Sequence, residues 1–244
     1  MRRLTWLPVV AVVAIVWLGR HCEASPRAGA TETRNWADEF HLADCAWSST
    51  GRNDYFILVP GYQAILEGSE GKDSTHLEIT VLNETRTVAG VETRIVEERE
   101  KHNGQLIEVS RNLYALCGPA NDVFYFGEEV DIYRNGKVVS HEGAWLAGVK
   151  GAKFGQMMPG RPQLKERYYQ EIAPGVAMDR VEIVSESETL KTPEGSWKGC
   201  LKTEETTPLE PKAKEYKLYA RGIGIVQDGE LLLAKHGLIG AKNP

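Results

Sequence analysis

Residues 92–136 read ETRIVEEREKHNGQLIEVSRNLYALCGPANDVFYFGEEVDIYRNG, and this stretch decides the fold class. Two dipeptides, Asn103-Gly104 and Asn135-Gly136, separate runs rich in β-branched and aromatic residues. A two-residue type I′ turn needs φ > 0 at both central positions, which Asn followed by Gly tolerates best, and its twist matches that of the flanking strands. Between the two turns Ile107, Val109, Leu113 and Ala115 share one parity. That period of two is the mark of a strand with one buried and one wet face.

The same signals continue outward. Asp228-Gly229 is a third turn dipeptide, and Leu77, Ile79 and Val81 alternate with His76, Glu78 and Thr80. Further strands are expected at 56–59, 63–67, 92–97, 123–126, 130–133, 137–141, 167–172, 180–185, 201–205, 215–219, 223–226 and 230–234. Together they predict an all-β protein with a minor α component, a single curved antiparallel meander sheet forming a half-open or closed barrel over residues 53–237. One short N-terminal helix is expected at Asn35–Ala43, with Asn35 as N-cap and Trp36, Phe40 and Ala43 on one side. This helix and a linker fill residues 31–52, and 238–244 form a tail. The segment from Gly143 to Arg161, broken by Gly148, Gly151, Gly155 and Gly160, reads as a long loop or an irregular crossing.

Arg2 and Arg3 precede a run from Leu4 to Gly19 without a charged residue. A basic n-region followed by an apolar h-region is the pattern of a signal peptide, and small residues allow cleavage after Ala24 or Ala30. The expected location is therefore periplasmic or extracellular. Removing residues 1–24 takes away Arg2, Arg3 and Arg20 with Glu23, so the formal net charge falls from −5 to −7. An acidic surface disfavours phosphate backbones and anionic headgroups, which argues against nucleic acid and against electrostatic membrane binding. Export also leaves Cys45, Cys117 and Cys200, an odd number in a compartment where disulfides persist. One pair with one leftover thiol is expected, preferably Cys45–Cys117, which ties the N-terminal segment to the sheet.

No motif for nucleophilic hydrolysis, zinc, calcium, phosphate or dinucleotide binding is present, and the histidines show no ligand spacing. No cofactor is indicated. Two sets of residues stand out. Glu128, Glu142, Glu171 and Asp179 flank strands and turns, where carboxylates can build a hard-cation site or serve acid/base chemistry. Tyr125, Trp145, Tyr169, Tyr216 and Tyr219 belong to a set of aromatics that a curved sheet can turn toward a cavity for an apolar or amphipathic ligand.

Five strings carry a resemblance: Tyr55–Tyr62, Val123–Glu129, Glu142–Val149, Tyr169–Ala177 and Tyr216–Gly224. In order and spacing they resemble a family of exported β-rich bacterial proteins of unknown function, over about Asn53 to Leu233. The last string is loosely similar to strands of periplasmic lipoprotein carriers of the LolA/LolB kind, whose half-open antiparallel barrel is closed by helices that this chain lacks. The resemblance implies no catalytic residue. The expected function is a non-enzymatic extracytoplasmic binding protein for an apolar or amphipathic small ligand, such as a lipid. A carboxylate-lined metal-binding protein or hydrolase is one alternative, and an envelope interaction protein without a pocket is another. Oligomeric state is not fixed by the sequence.

Overall fold

The computed structural model describes residues 36–40, 42, 45–70 and 72–240. Eighteen strands follow in chain order: β1 (Ala46–Ser48), β2 (Gly51–Arg52), β3 (Ile57–Leu58), β4 (Tyr62–Glu70), β5 (Asp73–Val88), β6 (Val91–His102), β7 (Gln105–Gly118), β8 (Asp122–Arg134), β9 (Lys137–Ser140), β10 (Trp145–Leu146), β11 (Lys153–Met158), β12 (Arg167–Tyr169), β13 (Glu171–Ile172), β14 (Arg180–Lys191), β15 (Ser196–Thr207), β16 (Glu210–Ala220), β17 (Gly224–Asp228) and β18 (Leu231–Leu238).

Two antiparallel meanders, β4 to β8 and β14 to β18, are joined where β18 pairs with β4. The path runs β12-β14-β15-β16-β17-β18-β4-β5-β6-β7-β8-β11-β13, and its two ends are consecutive pieces of chain on either side of Gln170. Residues 167–169 pair with β14, and residues 171–172 pair with β11. One segment thus closes the seam, and the sheet becomes a nearly closed antiparallel barrel of 13 strands. Gly155 permits that closure, because a Cβ there would lie 2.3 Å from the Gln170 carbonyl oxygen.

Local chemistry explains the regular part. Asn103 and Gly104 take φ of 49° and 78°, and Asn135 and Gly136 take 52° and 72°, the left-handed pair that the I′ turn demands. The turn near Asp228 is displaced by one residue, since Asp228 still pairs with Leu231 and Gly229 occupies the first loop position. The runs 123–126 and 130–133 are one continuous strand, β8, carried through Gly127. Buried Leu58, Leu113, Val123, Phe126, Val181, Ile183 and Leu201 form the main core. Ala64, Leu66, Leu77, Leu218, Val226 and Leu233 form a second cluster.

Three expectations change. The segment from Gly143 to Arg161 is not one long loop, because it contains β10 and β11; glycines needed for close packing mask its strand period. The stretch assigned to a linker holds β1, paired with the end of β7 through Trp47 and Cys117. No helix occurs among the described residues. Of the helix expected at Asn35–Ala43, residues 36–40 and Leu42 are described without helical turns, and Ala37 bridges in parallel to Tyr168 at the barrel seam. The remaining residues of that span lie outside the described residues, as does the expected signal peptide.

Cys45 and Cys117 form a disulfide, and Cys200 is a buried free thiol. The disulfide pins the N-terminal segment over the outer face of β8. There Trp47 packs edge-on against Phe124 and Phe126, at ring separations of 5.5 and 5.3 Å, and Phe40 meets Phe124 at 5.3 Å. Alternation along β8 then sends Tyr125 to the opposite face.

Candidate functional site

That opposite face is the barrel interior. Ala64 from β4, Ile79 from β5, Glu98 from β6, Tyr114 from β7, Lys217 and Tyr219 from β16 and Asp228 from β17 all line one cavity of about 90 Å³. Strands from widely separated positions in the sheet share it, as only a curled sheet allows. Tyr55, Phe56 and Ile57 plug it from the N-terminal side. Buried Asn53 holds this plug by donating from Nδ2 to the Asn121 and Pro159 carbonyls, each at 2.9 Å, and accepting the Tyr55 N–H at 2.8 Å.

The interior is acidic. Lys217 Nζ lies 3.2 Å from Glu205 Oε2 and 3.5 Å from Asp228 Oδ1. Burial pulls its ammonium down, but Asp228, Glu205 and Glu215 outweigh burial and leave it well above the ordinary lysine value. The interior also holds carboxyls that burial drives toward the neutral form. Glu98 is pushed up to about 7, with Lys217 opposing. Glu108 is pushed up to about 7 by burial and then by Glu100 and Glu98. Glu128 is pushed up to about 8 by burial and then by Glu108 and Glu98, with a hydrogen bond from Ser110 opposing. Glu171 rises well above its ordinary value through burial and then Asp179 and Glu128; Asp179 and Glu205 rise through burial as well. Removing a carboxylate from bulk water disfavours its charged form, and like charges add to the cost.

A chain of polar contacts links the two parts of the interior. Tyr114 lines the 90 Å³ cavity and stacks on Tyr125 at 4.6 Å. Tyr125 donates its hydroxyl to Asn112 Oδ1, and Asn112 Nδ2 donates to Ser110 Oγ at 3.3 Å. Ser110 in turn bonds the Glu128 carboxyl. Tyr125 also meets Trp145 edge-to-face at 5.3 Å.

Glu128 and Trp145 line a second, larger cavity of about 360 Å³. Its buried wall is Trp145, Ala152 and Ala173, and its rim includes exposed Val149, Lys150, Pro174 and Val176. The short strand β10 creates it by pairing with β8, Trp145 opposite Glu128 and Leu146 opposite Gly127. Gly127 makes this approach possible, because its φ is 147° and a Cβ there would lie 2.5 Å from the Trp145 carbonyl oxygen. The volume falls in the range of small-molecule sites, and a mostly apolar wall with few polar groups is their usual composition.

The residues singled out by sequence fall into separate places. Tyr125 and Trp145 pack together, Trp145 in the wall of the larger cavity, and Tyr219 lines the smaller one. Tyr169 is half-buried against Trp36 at 6.4 Å, and Tyr216 is 37% exposed under the Lys202 ammonium, 4.3 Å from its ring. Glu128, Glu171 and Asp179 share one electrostatic environment. Glu142 is exposed in the turn after β9. No group of three or more His, Cys, Asp or Glu side chains is placed to hold a metal ion among the described residues. Sequence reasoning missed Glu98, Glu108, Glu205 and Lys217. The available signal was that Glu98 shares parity with buried Val96, and Lys217 with buried Tyr219, so these charges sit on core-facing positions.

No protein-family model, no curated protein and no solved structure matches this chain.

Proposed function

We propose that this protein is a non-enzymatic, extracytoplasmic binding protein that holds a small amphipathic ligand in the 360 Å³ cavity beside β8 and β10. The observation that carries this reading is the composition of that cavity: a buried apolar wall built on Trp145, Ala152 and Ala173, carboxyls from Glu128 and the exposed Glu129, and a rim that carries Lys150 and leaves Val149 and Val176 about half exposed. A small concave site of this kind binds by shape and burial, with its few polar groups fixing orientation. The basic and apolar N-terminal run and the Cys45–Cys117 disulfide support an extracytoplasmic location.

The test is saturable binding of the neutral fluorescent dye N-phenyl-1-naphthylamine to the full chain. One site is expected, and Ala144→Trp, which fills the cavity from an exposed wall position, abolishes it. Absence of saturable binding, or equal binding by the filled variant, overturns the reading. Native mass spectrometry of protein purified from its own envelope supplies a second readout, an adduct that organic solvent extracts.

A further inference from the structure

The smaller cavity, inside the barrel, is lined by oxygens that the protein itself leaves without partners. Tyr114 is 4% and Tyr219 2% exposed, and neither hydroxyl makes a hydrogen bond among the described residues. Neither oxygen is sealed in packing, as the Tyr168 hydroxyl is; both side chains line the cavity of about 90 Å³. Buried hydroxyls are normally paired, so two that open unpaired onto one cavity mark the place of a missing partner. The Glu98 carboxyl lines the same cavity and makes no hydrogen bond or ion pair among the described residues. Glu98 on β6 and Tyr114 on β7 belong to adjacent strands, Tyr219 comes from β16, and both phenols lie within electrostatic reach of Glu98 and Lys217.

We infer that the barrel interior holds a small primary ammonium, whose three N–H groups donate to the Glu98 carboxylate and to the Tyr114 and Tyr219 hydroxyls while a short hydrocarbon tail rests on Ile79, Val96 and Ile225. An ammonium has three donors and no acceptor, and three unpartnered oxygens match it. At ~30 Å³ for each water-sized group the cavity holds about three, an ammonium with a two-carbon tail. This site is separate from the larger cavity and stands whether or not that one binds a neutral ligand.

The charge around the cavity agrees with the geometry. Lys217 is already engaged, its Nζ 3.2 Å from Glu205 Oε2 and 3.5 Å from Asp228 Oδ1. Three carboxyls, Glu98, Glu205 and Asp228, thus share the Lys217 ammonium, and a second cation is the ligand that restores balance. An anion adds to the surplus, and a neutral ligand leaves it. Burial pushes Glu98 up to about 7, with Lys217 opposing and Asp228, Glu100 and Glu205 adding to it; an ammonium beside it favours the charged form. Tyr55, Phe56 and Ile57 cover this end of the barrel, and hydrogen bonds from a charged donor are strongest where water is kept out.

Radiolabelled ethylamine is dialysed to equilibrium against the full chain at pH 8. Saturable uptake of one molecule per chain is expected, with no displacement by equal concentrations of ethanol, acetate or potassium chloride. Trimethylamine, similar in charge but with one N–H in place of three, is expected to compete at least tenfold more weakly. Tyr114→Phe and Tyr219→Phe keep each ring and remove one acceptor, and each is expected to weaken uptake about tenfold; Glu98→Gln removes the charge and weakens it further. The assignment is overturned if no ethylamine is taken up, if potassium or trimethylamine displaces it equally well, or if Tyr219→Phe binds it unchanged. Should Glu98→Gln fail to fold, the two Phe variants and the competition with wild type decide. Uptake of ethylamine without binding of the neutral dye sinks the function proposed for the larger cavity alone, and dye binding without uptake of ethylamine sinks this inference alone.

Discussion

Replacing Glu128 by Gln is expected to stabilise the barrel at alkaline pH and to leave it nearly unchanged in acid. The carboxyl is pushed from 4.5 up to about 8 in the folded chain, because burial and the neighbouring Glu108 and Glu98 disfavour its charge. Below about pH 4.5 the group is protonated in both folded and unfolded states and contributes nothing. Between there and pH 8 the unfolded chain ionises first, so folding loses about 1.36 kcal/mol per pH unit. Above pH 8 the whole penalty is in place. Its upper bound is about 5 kcal/mol, and water in the adjoining cavity together with local relaxation reduces it to roughly 2–3 kcal/mol. Gln accepts the Ser110 hydrogen bond and carries no charge, so it removes the penalty with little change of shape. For a chain of this length each kcal/mol moves the melting temperature by about 2–4 °C, so a gain of roughly 5–10 °C is expected at pH 9. Differential scanning calorimetry of both proteins at pH 5, 7 and 9 measures it. A difference that is constant with pH, or a wild type that becomes more stable from pH 5 to pH 9, refutes the reasoning.

Removing the disulfide with Cys45→Ser and Cys117→Ser releases a loop with a sequence separation of 72 and is expected to cost about 4 kcal/mol, read as a fall in melting temperature of roughly 8–16 °C. Lys217→Met leaves Glu205 and Asp228 without the ammonium that lies 3.2 and 3.5 Å from them, and is expected to cost about 3–5 kcal/mol at pH 8. Urea denaturation at pH 5 is expected to show a smaller loss, because the orphaned carboxyls take up protons. Gly155→Ala drives a Cβ to within 2.3 Å of the Gln170 carbonyl oxygen and is expected to cost about 3 kcal/mol. Hydrogen exchange then accelerates first in β11 and residues 167–172; uniform acceleration around the barrel contradicts the assignment of this segment as the seam.

The fold was legible wherever turn chemistry and alternation agreed. Asn103-Gly104 and Asn135-Gly136 mark hairpins because their side chains accept the left-handed backbone that the turns require. The hairpin between β5 and β6 turns through Ala89-Gly90 with φ of 49° and 83°, the same geometry, but alanine announces nothing of the kind. The strand β11 was hidden because Gly155 is selected for a backbone approach and not for strand propensity. The Cys45–Cys117 bond was readable as a tie between the N-terminal segment and the sheet, yet the aromatic layer it closes, Trp47 on Phe124 and Phe126, depends on a register that sequence does not display. The candidate site was half legible. Trp145, Tyr125 and Glu128 stand out by residue type, while Glu98, Glu108, Glu205 and Lys217 belong to no motif that marks them. Period-two alternation separates two faces but does not say which one a closed barrel turns inward.

That inward face costs stability. Glu98, Glu108, Glu128, Glu171, Asp179 and Glu205 all have their charged forms disfavoured by enclosure, and Lys217 is the cation among the groups that act on them. Replacing buried ionic groups by well-packed apolar ones is often neutral or stabilising, so a barrel shaped by stability alone fills its interior with Leu, Ile and Val. The second cluster, Leu66, Leu77, Leu218 and Leu233, shows that this chain packs such a core elsewhere in the same sheet. The polar groups are instead gathered along one line, from Lys217 and Glu98 through Tyr114, Tyr125, Asn112 and Ser110 to Glu128, ending at the larger cavity. Unfavourable groups confined to the approach of a cavity, in a sheet otherwise packed with hydrocarbon, are what a binding site retains at the expense of stability.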